Sequence, residues 1–468
     1  MIPFFPKQIS NRAIIVYLLS IVTVSLVYSR FAMPVGYIII GLVFIFGFFL
    51  ITNYWTKDLG GIPDKLFLSY LFFFALLLRL VWVVGSYYYY ISATGSPFGY
   101  ENADALGYHE TALWLAESRW SRTFDYFFRT PGVPISDAGY PIWLTIIYKV
   151  FGPNILIPRL FKALISTWTC ILVYKISVRT FGERTGRMAG VMCALMPNFI
   201  IYCGYHLKEI EMVFVEVAFL ERLDYLQRSR KFNFWIVLLT SFLALSLFLF
   251  RTVLGAVAVF TAATVVLVSS SPALKVGWRR FALIAWGILC IFVAGSGTIL
   301  TEIEGYWAER EDNATMKRYE QTLRGNLWAK YATGTVMAPM AFVLPFSTMV
   351  NVDEQYGQQE KHSGNFIRNF MGFFVLLAIY EAFRRKKWRD FSLIGAFVIS
   401  YLGIVSLSGF SNSERFLLPG LPALIPMWAY GISVLREKTF KLLTPWCFLV
   451  FTMEFAWAFF KLGSRGIL

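Results

Sequence analysis

Two stretches a few residues apart decide how this chain is read: "LFLSYLFFFALLLRLVWVVGSYYYYI", Leu66 to Ile91, and "DALGYHETALWLAE", Asp104 to Glu117. The first carries a single charge, Arg79, and as a helix rising 1.5 Å per residue it is long enough to cross a hydrocarbon core of about 30 Å. The second holds an aspartate, a histidine and two glutamates, so a cluster of acids follows directly on a membrane span. On a helix, Asp104, Tyr108 and residue 111 share one face, while Ala105, Ala112, Leu113 and Ala116 share another. That pattern predicts an amphipathic helix lying on the membrane with its polar side toward a cavity. Acids near a helix N-terminus also complement the helix dipole, so a plain solvated surface helix is the alternative.

The rest of the 468 residues agrees with a membrane setting. The chain is 57% hydrophobic and 18% aromatic with 15% charged residues, and its mean hydropathy is +0.59, outside the range of soluble globular proteins. A net charge of +15 raises the question of nucleic acid. The basic residues, however, fall in short runs between apolar segments, which is the positive-inside pattern, and no nucleic-acid partner is expected. The five cysteines are scattered through apolar segments without metal-site spacing.

Hydrophobic runs predict an all-α polytopic protein with thirteen transmembrane helices, near 13–28, 33–51, 66–91, 155–178, 188–207, 210–226, 233–250, 252–269, 281–300, 366–383, 391–409, 415–435 and 442–461. The basic clusters "KISVRTFGERTGR", "RLDYLQRSRK", "KVGWRR", "RRKKWRD" and "REKTFK" then share one side, taken as the cytoplasm. The N-terminus is cytoplasmic, the C-terminus external, and segments 92–154 and 301–365 lie outside. The run at 139–152 is too short to span and is expected to lie along the outer surface. The run at 336–350, with two prolines, is expected to be a surface or re-entrant segment. The chain divides into two extra N-terminal spans (1–65), a membrane core (66–300), an outer segment (301–365) and C-terminal spans (366–468).

Three constellations carry chemistry in this topology. The first is Asp104 with Tyr108, His109 and Glu110. The second is "YHLKEIE" at the outer junction of two spans, where Glu209 stands between His206 and Lys208. Lys208 and Glu211 are free to snorkel to water there. Asp104, Glu209 and His206 brought together by folding would suit a divalent cation such as Mg, Mn or Zn, although no ligand spacing demands one. The third is a set of cations at the outer boundary: Arg159, Lys162, Lys208, Arg251 and Arg415. The positive-inside bias disfavours them on that side, and guanidinium groups suit phosphate oxygens because they donate paired hydrogen bonds.

Several motifs together resemble the C-type superfamily of integral-membrane glycosyltransferases: "DALGYHETALWLAE", "GYPIWLTIIYKVFGPNILIPRLFKALIS", "MPNFIIYCGYHLKE" and "ERFLLPGLPAL". The branch resembled is that of the bacterial relatives of dolichyl-phosphate-mannose protein mannosyltransferases, including the aminoarabinose transferase acting on lipid A. The resemblance covers 66–230 and, less fully, 410–435. It implies that Asp104 is the acid that activates the acceptor, that Glu209 helps form the active site, and that Arg159 and Arg415 hold a carrier phosphate. Where relatives have a second acid beside the first, this chain has Ala105.

The expected function is therefore transfer of a sugar from a polyprenyl-phosphate donor to a lipid, glycan or protein acceptor on the outer face of a bacterial inner membrane. Tyr108, His109, His206, Lys162, Lys208 and Arg251 are candidate substrate-binding residues. Membrane lipids are the remaining partners. Two alternatives stay open: a polysaccharide polymerase or ligase using a polyprenyl-diphosphate-linked glycan, and a lipid or solute transporter.

Overall fold

The computed structural model describes residues 2–463 except 101, 131–132, 230–232, 269–339, 353–355, 387 and 408–412. Among the described residues the protein is helical, with one isolated β-bridge between Ala32 and Val350 and no strand. The helices used below are α1 (Lys7–Val27), α2 (Val35–Gly61), α3 (Asp64–Thr94), α4 (Asn102–Glu117), α5 (Trp120–Arg129), α6 (Gly139–Phe151), α7 (Leu156–Phe181), α8 (Glu183–Leu195) and α9 (Pro197–Gly204). They continue with α10 (Glu209–Arg228), α11 (Phe234–Phe248), α12 (Thr252–Val268), α13 (His362–Arg384), α14 (Ser392–Leu407), α15 (Glu414–Ser433) and α16 (Glu437–Gly463).

Seven of these, α1, α2, α3, α7, α13, α15 and α16, are long and apolar enough to cross a membrane. The protein is an integral membrane protein. The expected count of thirteen is not reached among the described residues, for three physical reasons. The segment expected at 188–207 is not one rod: α8 and α9 meet at a bend of 48°. Proline lacks an N–H and pushes the residue before it out of the helical region, and Met196 ahead of Pro197 is extended (φ −64°, ψ 115°). The pair counts as an eighth span only if the bend is allowed. Helices α11, α12 and α14 are apolar but only 15, 17 and 16 residues long. Helix α10 buries Glu209, Glu211, Glu216, Glu221 and Asp224, so it belongs inside the protein rather than against lipid. The expected span 281–300 and the charged segment 301–335 lie outside the described residues.

The interior is built around α7, which packs on α3, α8 and α10. Arg79 of α3 is fully buried there and is satisfied by protein: Nε donates to Ser166 Oγ at 2.8 Å, and Nη1 donates to the Ala194 and Ala75 carbonyls at 3.0 and 3.1 Å. One end of the bundle is stitched by ion pairs. Arg179 joins Glu221 and Asp224, Arg187 joins Asp64 and Glu183, and Glu381 takes Arg384 and Arg385. The opposite helix ends carry the candidate site.

At that opposite end, α4 and α6 pack together, with Ala105, Ala112 and Leu115 turned into the protein. The 13-residue α6 is a short helix of the kind expected at 139–152. The described part of 336–350 is irregular backbone buried in the fold, so it is not a surface segment: Val343, Leu344, Phe346 and Met349 are all enclosed. Irregular backbone at membrane depth is tolerated only where protein satisfies it. Asn369 Nδ2 does so by donating to the Val343 and Pro345 carbonyls at 2.6 and 2.9 Å, and Arg368 Nη2 donates to the Ala341 carbonyl at 3.1 Å.

Helices α13 and α15 come close at Gly431, where an added Cβ would stand 2.2 Å from the Phe374 carbonyl oxygen. Small residues at such crossings let backbones touch. Gly431→Ala is expected to cost about 1–3 kcal/mol through this overpacking. Thermal unfolding in nanodiscs would reveal it as a lowered midpoint, whereas an unchanged midpoint would mean the two helices are free to separate.

Candidate active site

The carboxylates of Asp104 and Glu209 meet on one guanidinium. Arg415 Nη1 donates to Asp104 Oδ2 at 2.5 Å, and Arg415 Nε donates to Glu209 Oε1 at 2.6 Å. The three come from the first turn of α4, the first residue of α10 and the first turn of α15. Their surroundings differ. The Asp104 side chain is 53% exposed, Arg415 is 19% exposed, and Glu209 is wholly buried. Glu209 Oε2 has no hydrogen-bond partner. Arg251 and Lys208 flank Glu209 electrostatically.

The other expected site residues fall into two groups. Tyr108 and Lys208 converge on Asp137, a residue the sequence reading missed: Tyr108 Oη donates to Asp137 Oδ1 at 3.0 Å, and the Lys208 ammonium pairs with the same oxygen. Lys208 also donates to the Ser136 carbonyl at 3.3 Å and does not snorkel to water. Burial lowers its pKa, with Asp137 opposing. Glu211 does not snorkel either. It is buried with Lys162 Nζ 3.5 Å away, and Lys162 is spent on the Tyr205 and Leu207 carbonyls. Lys162 is thus a strut between α7 and the turn before α10, not an open anion site.

His109 and His206 sit in an aromatic box with Phe98, Tyr140 and Tyr148. The Tyr148 hydroxyl bridges them, 2.8 Å from His109 Nδ1 and 3.2 Å from His206 Nε2. His206 is fully buried, and its Nδ1 lacks a partner. It faces these rings rather than joining Asp104 and Glu209 as the sequence expectation of a metal set required. Among the described residues no group of three or more His, Cys, Asp or Glu side chains is placed to hold a metal ion. A divalent cation at Asp104 and Glu209 would meet Arg415 already between them, so these side chains as arranged do not fit one.

Arg159 and Arg251 complete the set. Arg159 is fully buried; its Nη2 donates to the Pro97 carbonyl at 2.5 Å, and its Nε and Nη1 have no partner. Arg251 lies 4.2 Å over the Phe416 ring and donates to the Tyr401 hydroxyl at 3.4 Å. His362 opens α13 and bonds Tyr17 Oη at 2.7 Å, a packing role.

Beside the carboxylate pair is a buried network that sequence reasoning also missed. Glu414 accepts from Asn198 Nδ2 at 2.5 Å and from Tyr202 Oη at 3.1 Å, and pairs with Lys361 at 3.3 Å. Glu360 accepts from Tyr90 and Tyr205 at 2.7 and 2.6 Å. The available signal was the adjacency of Glu414 to Arg415 and the polar residues inside "MPNFIIYCGYHLKE".

An integral membrane protein that gathers paired carboxylates and buried cations at one end of its helices is built for polar chemistry at a membrane boundary. A profile of the Alg9-like mannosyltransferase family matches residues 109–465, about three quarters of the chain. The chain belongs to that family, within the C-type superfamily of integral-membrane glycosyltransferases. The match begins after Asp104. A protein of Aquifex aeolicus (strain VF5), described only as uncharacterized, is 30% identical over 105 residues, 22% of this chain and 21% of that protein. The chain thus aligns with about a fifth of that relative's length.

Burial holds the His109 imidazole below its ordinary value of 6.5, with Glu110 opposing, and holds His206 well below it, with Arg159 and Lys162 adding to the effect. A histidine whose folded pKa lies below its unfolded one binds fewer protons when folded. Its neutral form therefore gives full stability above about pH 6.5, and stability declines as pH falls below that. The unfolding midpoint is expected to drop between pH 7 and pH 5, and to drop less in His206→Asn. Equal pH dependence in the two proteins would show that His206 is not held neutral.

Proposed function

We propose that this glycosyltransferase moves a sugar from a polyprenyl-phosphate carrier to an acceptor hydroxyl, with Asp104 as general base. The observation that carries the reading is the Asp104–Arg415–Glu209 bridge: an accessible carboxylate oriented by a guanidinium that a buried carboxylate holds in place. The donor phosphate and the sugar are inferred from the family's mannosyltransfer chemistry and from the cations around the site.

In the proposed step the acceptor O–H gives its proton to Asp104 Oδ1, and the acceptor oxygen attacks the anomeric carbon. The bond from that carbon to the phosphate oxygen breaks with its electron pair, leaving polyprenyl phosphate. A base within hydrogen-bond reach of the acceptor and fixed charges facing the leaving group are what this substitution needs. Charge matching supports Arg159 and Arg251 as the phosphate-facing cations. Lys208, Lys162, Lys361 and Arg415 each have a carboxylate partner, whereas Arg159 and Arg251 have none among the described residues. Both are buried, and a buried cation that makes no ion pair is costly. An anionic phosphate would complete the balance.

The reading places the reaction on the outer face of a bacterial inner membrane, with the N-terminus cytoplasmic and the C-terminus periplasmic. It is supported by the separation of the two helix ends, since the arginine-rich ion-pair belt lies opposite the carboxylate site. A lipid, glycan or protein hydroxyl serves as acceptor, and the lipid tail of the donor stays among membrane lipids.

Asp104→Asn is expected to lower turnover of a polyprenyl-phosphate sugar about 10²- to 10⁴-fold with little change in carrier binding, the range for a lost general base. Arg159→Gln is expected to weaken carrier binding instead. Turnover in nanodiscs checks both, and full activity in Asp104→Asn would remove the proposed base.

A further inference from the structure

Three consecutive residues at the entry to α13 each grip a different part of the molecule. Glu360 accepts from Tyr90 of α3 and from Tyr205 in the turn before α10. His362 donates from Nδ1 to the Gln359 carbonyl at 2.6 Å and meets the Tyr17 hydroxyl of α1. Lys361, between them, faces Glu414, the first residue of α15, with Nζ 3.3 Å from Oε2. The Tyr202 hydroxyl closes a triangle with this pair: it donates to the same Oε2 at 3.1 Å and stands 3.5 Å from Nζ. Both charges are enclosed, the side chain of Lys361 being 3% exposed and that of Glu414 7%. Among the described residues no other cation stands within ion-pair distance of Glu414. Arg368 acts on it from farther away and donates to the Leu417 carbonyl of the same turn.

Consecutive residues project about 100° apart around a helix axis, so the direction fixed for Glu414 fixes that of Arg415. Arginine is long and rotatable, and its own bonds to Asp104 and Glu209 tolerate a range of helix rotations. A second spoke removes that tolerance. A rotation of about 10° moves atoms at the helix rim by about 1 Å. A misplacement of that size near reacting atoms costs as much as about 10²-fold in rate.

We propose that Lys361 is a positioning residue for glycosyl transfer. It holds Glu414, which sets the rotation of the first turn of α15, which places Arg415 against Asp104. Lys361 touches no substrate in this arrangement. The charge on Lys361 matters beyond the hydrogen bonds from Asn198 and Tyr202, because a buried carboxylate deprived of its cation is driven toward water or toward another cation. The backbone it would drag along is that of Arg415. This rests on the glycosyl-transfer reading above and adds to it a residue outside the carboxylate bridge.

The test compares wild type, Lys361→Met, Glu414→Gln and the double variant, each as the full chain in nanodiscs. Turnover of a polyprenyl-phosphate sugar gives kcat and KM, and amide hydrogen exchange is measured without substrate. Lys361→Met is expected to lower kcat about ten- to hundredfold while KM stays within about twofold of wild type. Glu414→Gln is nearly isosteric and keeps an oxygen for Asn198 or Tyr202, so it is expected to fold even if Lys361→Met does not. It lowers kcat in the same way, because it leaves the ammonium unpaired. The double variant has no charge of the pair left over, and its kcat is expected to recover to within about threefold of wild type rather than to multiply the two losses. Exchange is expected to quicken in both single variants at 414–420 and at 102–108, the first turns of α15 and α4, and to return to the wild-type rate in the double variant. An unchanged kcat in Glu414→Gln, losses that multiply in the double variant, or a raised KM at constant kcat each overturn the proposal. Failure of the carrier reading looks different: wild type then turns over no polyprenyl-phosphate sugar. Exchange at 102–108 decides the positioning role in that case, upholding it if the single variants quicken there and overturning it if they do not.

Discussion

Arg415 reconciles two carboxylates that could not otherwise share a site. Asp104 and Glu209 stand 311 and 206 positions from it in sequence, and one of them is fully buried. Removing a carboxylate from water costs several kcal/mol, which a nearby guanidinium offsets only when the geometry is good and hydrogen bonds are made. Here Nε and Nη1 each make one. Three helix ends, those of α4, α10 and α15, are therefore held together by a single side chain. The arrangement also gives the two acids different characters: Glu209 is fixed and enclosed, while Asp104 stays open to whatever approaches from outside.

The same turn of chain anchors the other side of the site. Because Glu414 precedes Arg415, the start of α15 is gripped from two directions, by the acids of α4 and α10 and by Asn198, Tyr202 and Lys361. Asn198 and Tyr202 lie just past the break at Pro197. That break frees the chain to present side chains where a straight helix would have continued into the next loop. A bent span and an irregular segment near 345 at the same end are consistent with a membrane rule: non-helical backbone is placed where protein groups such as Asn369 and Arg368 can satisfy it.

Much of this was legible in the sequence because membrane helices announce themselves locally. The spans expected at 66–91, 155–178 and 366–383 correspond to α3, α7 and α13, since an apolar run needs no knowledge of its partners. Asp104, Glu209 and Arg415 stood out for the same reason, as charges where charges are costly. What was not legible depended on pairing. Asp137 looks like any loop acid until Lys208, 71 positions away, is folded against it. Lys208 and Glu211 read as residues able to snorkel because their position allowed it, yet each is buried and pairs within the protein instead. The count of thirteen is not reached among the described residues, in part because α10 reads as apolar from its aliphatic residues while its buried acids mark it as interior.

Lys162, Lys208 and Lys361 each have a carboxylate partner among the described residues, and Lys162 is tied to the Tyr205 and Leu207 carbonyls as well as to Glu211. The guanidiniums of Arg159 and Arg251 make no ion pair among the described residues and rest against aromatic rings, Tyr87 and Phe416. A ring face stabilises a cation without neutralising it and without occupying all of its donors. An arginine held that way keeps its charge and its hydrogen-bonding capacity in a low-dielectric site. A structural ion pair would have given up both. The lysines therefore hold the helix ends in place, and the arginines keep the positive potential that an anionic headgroup would meet.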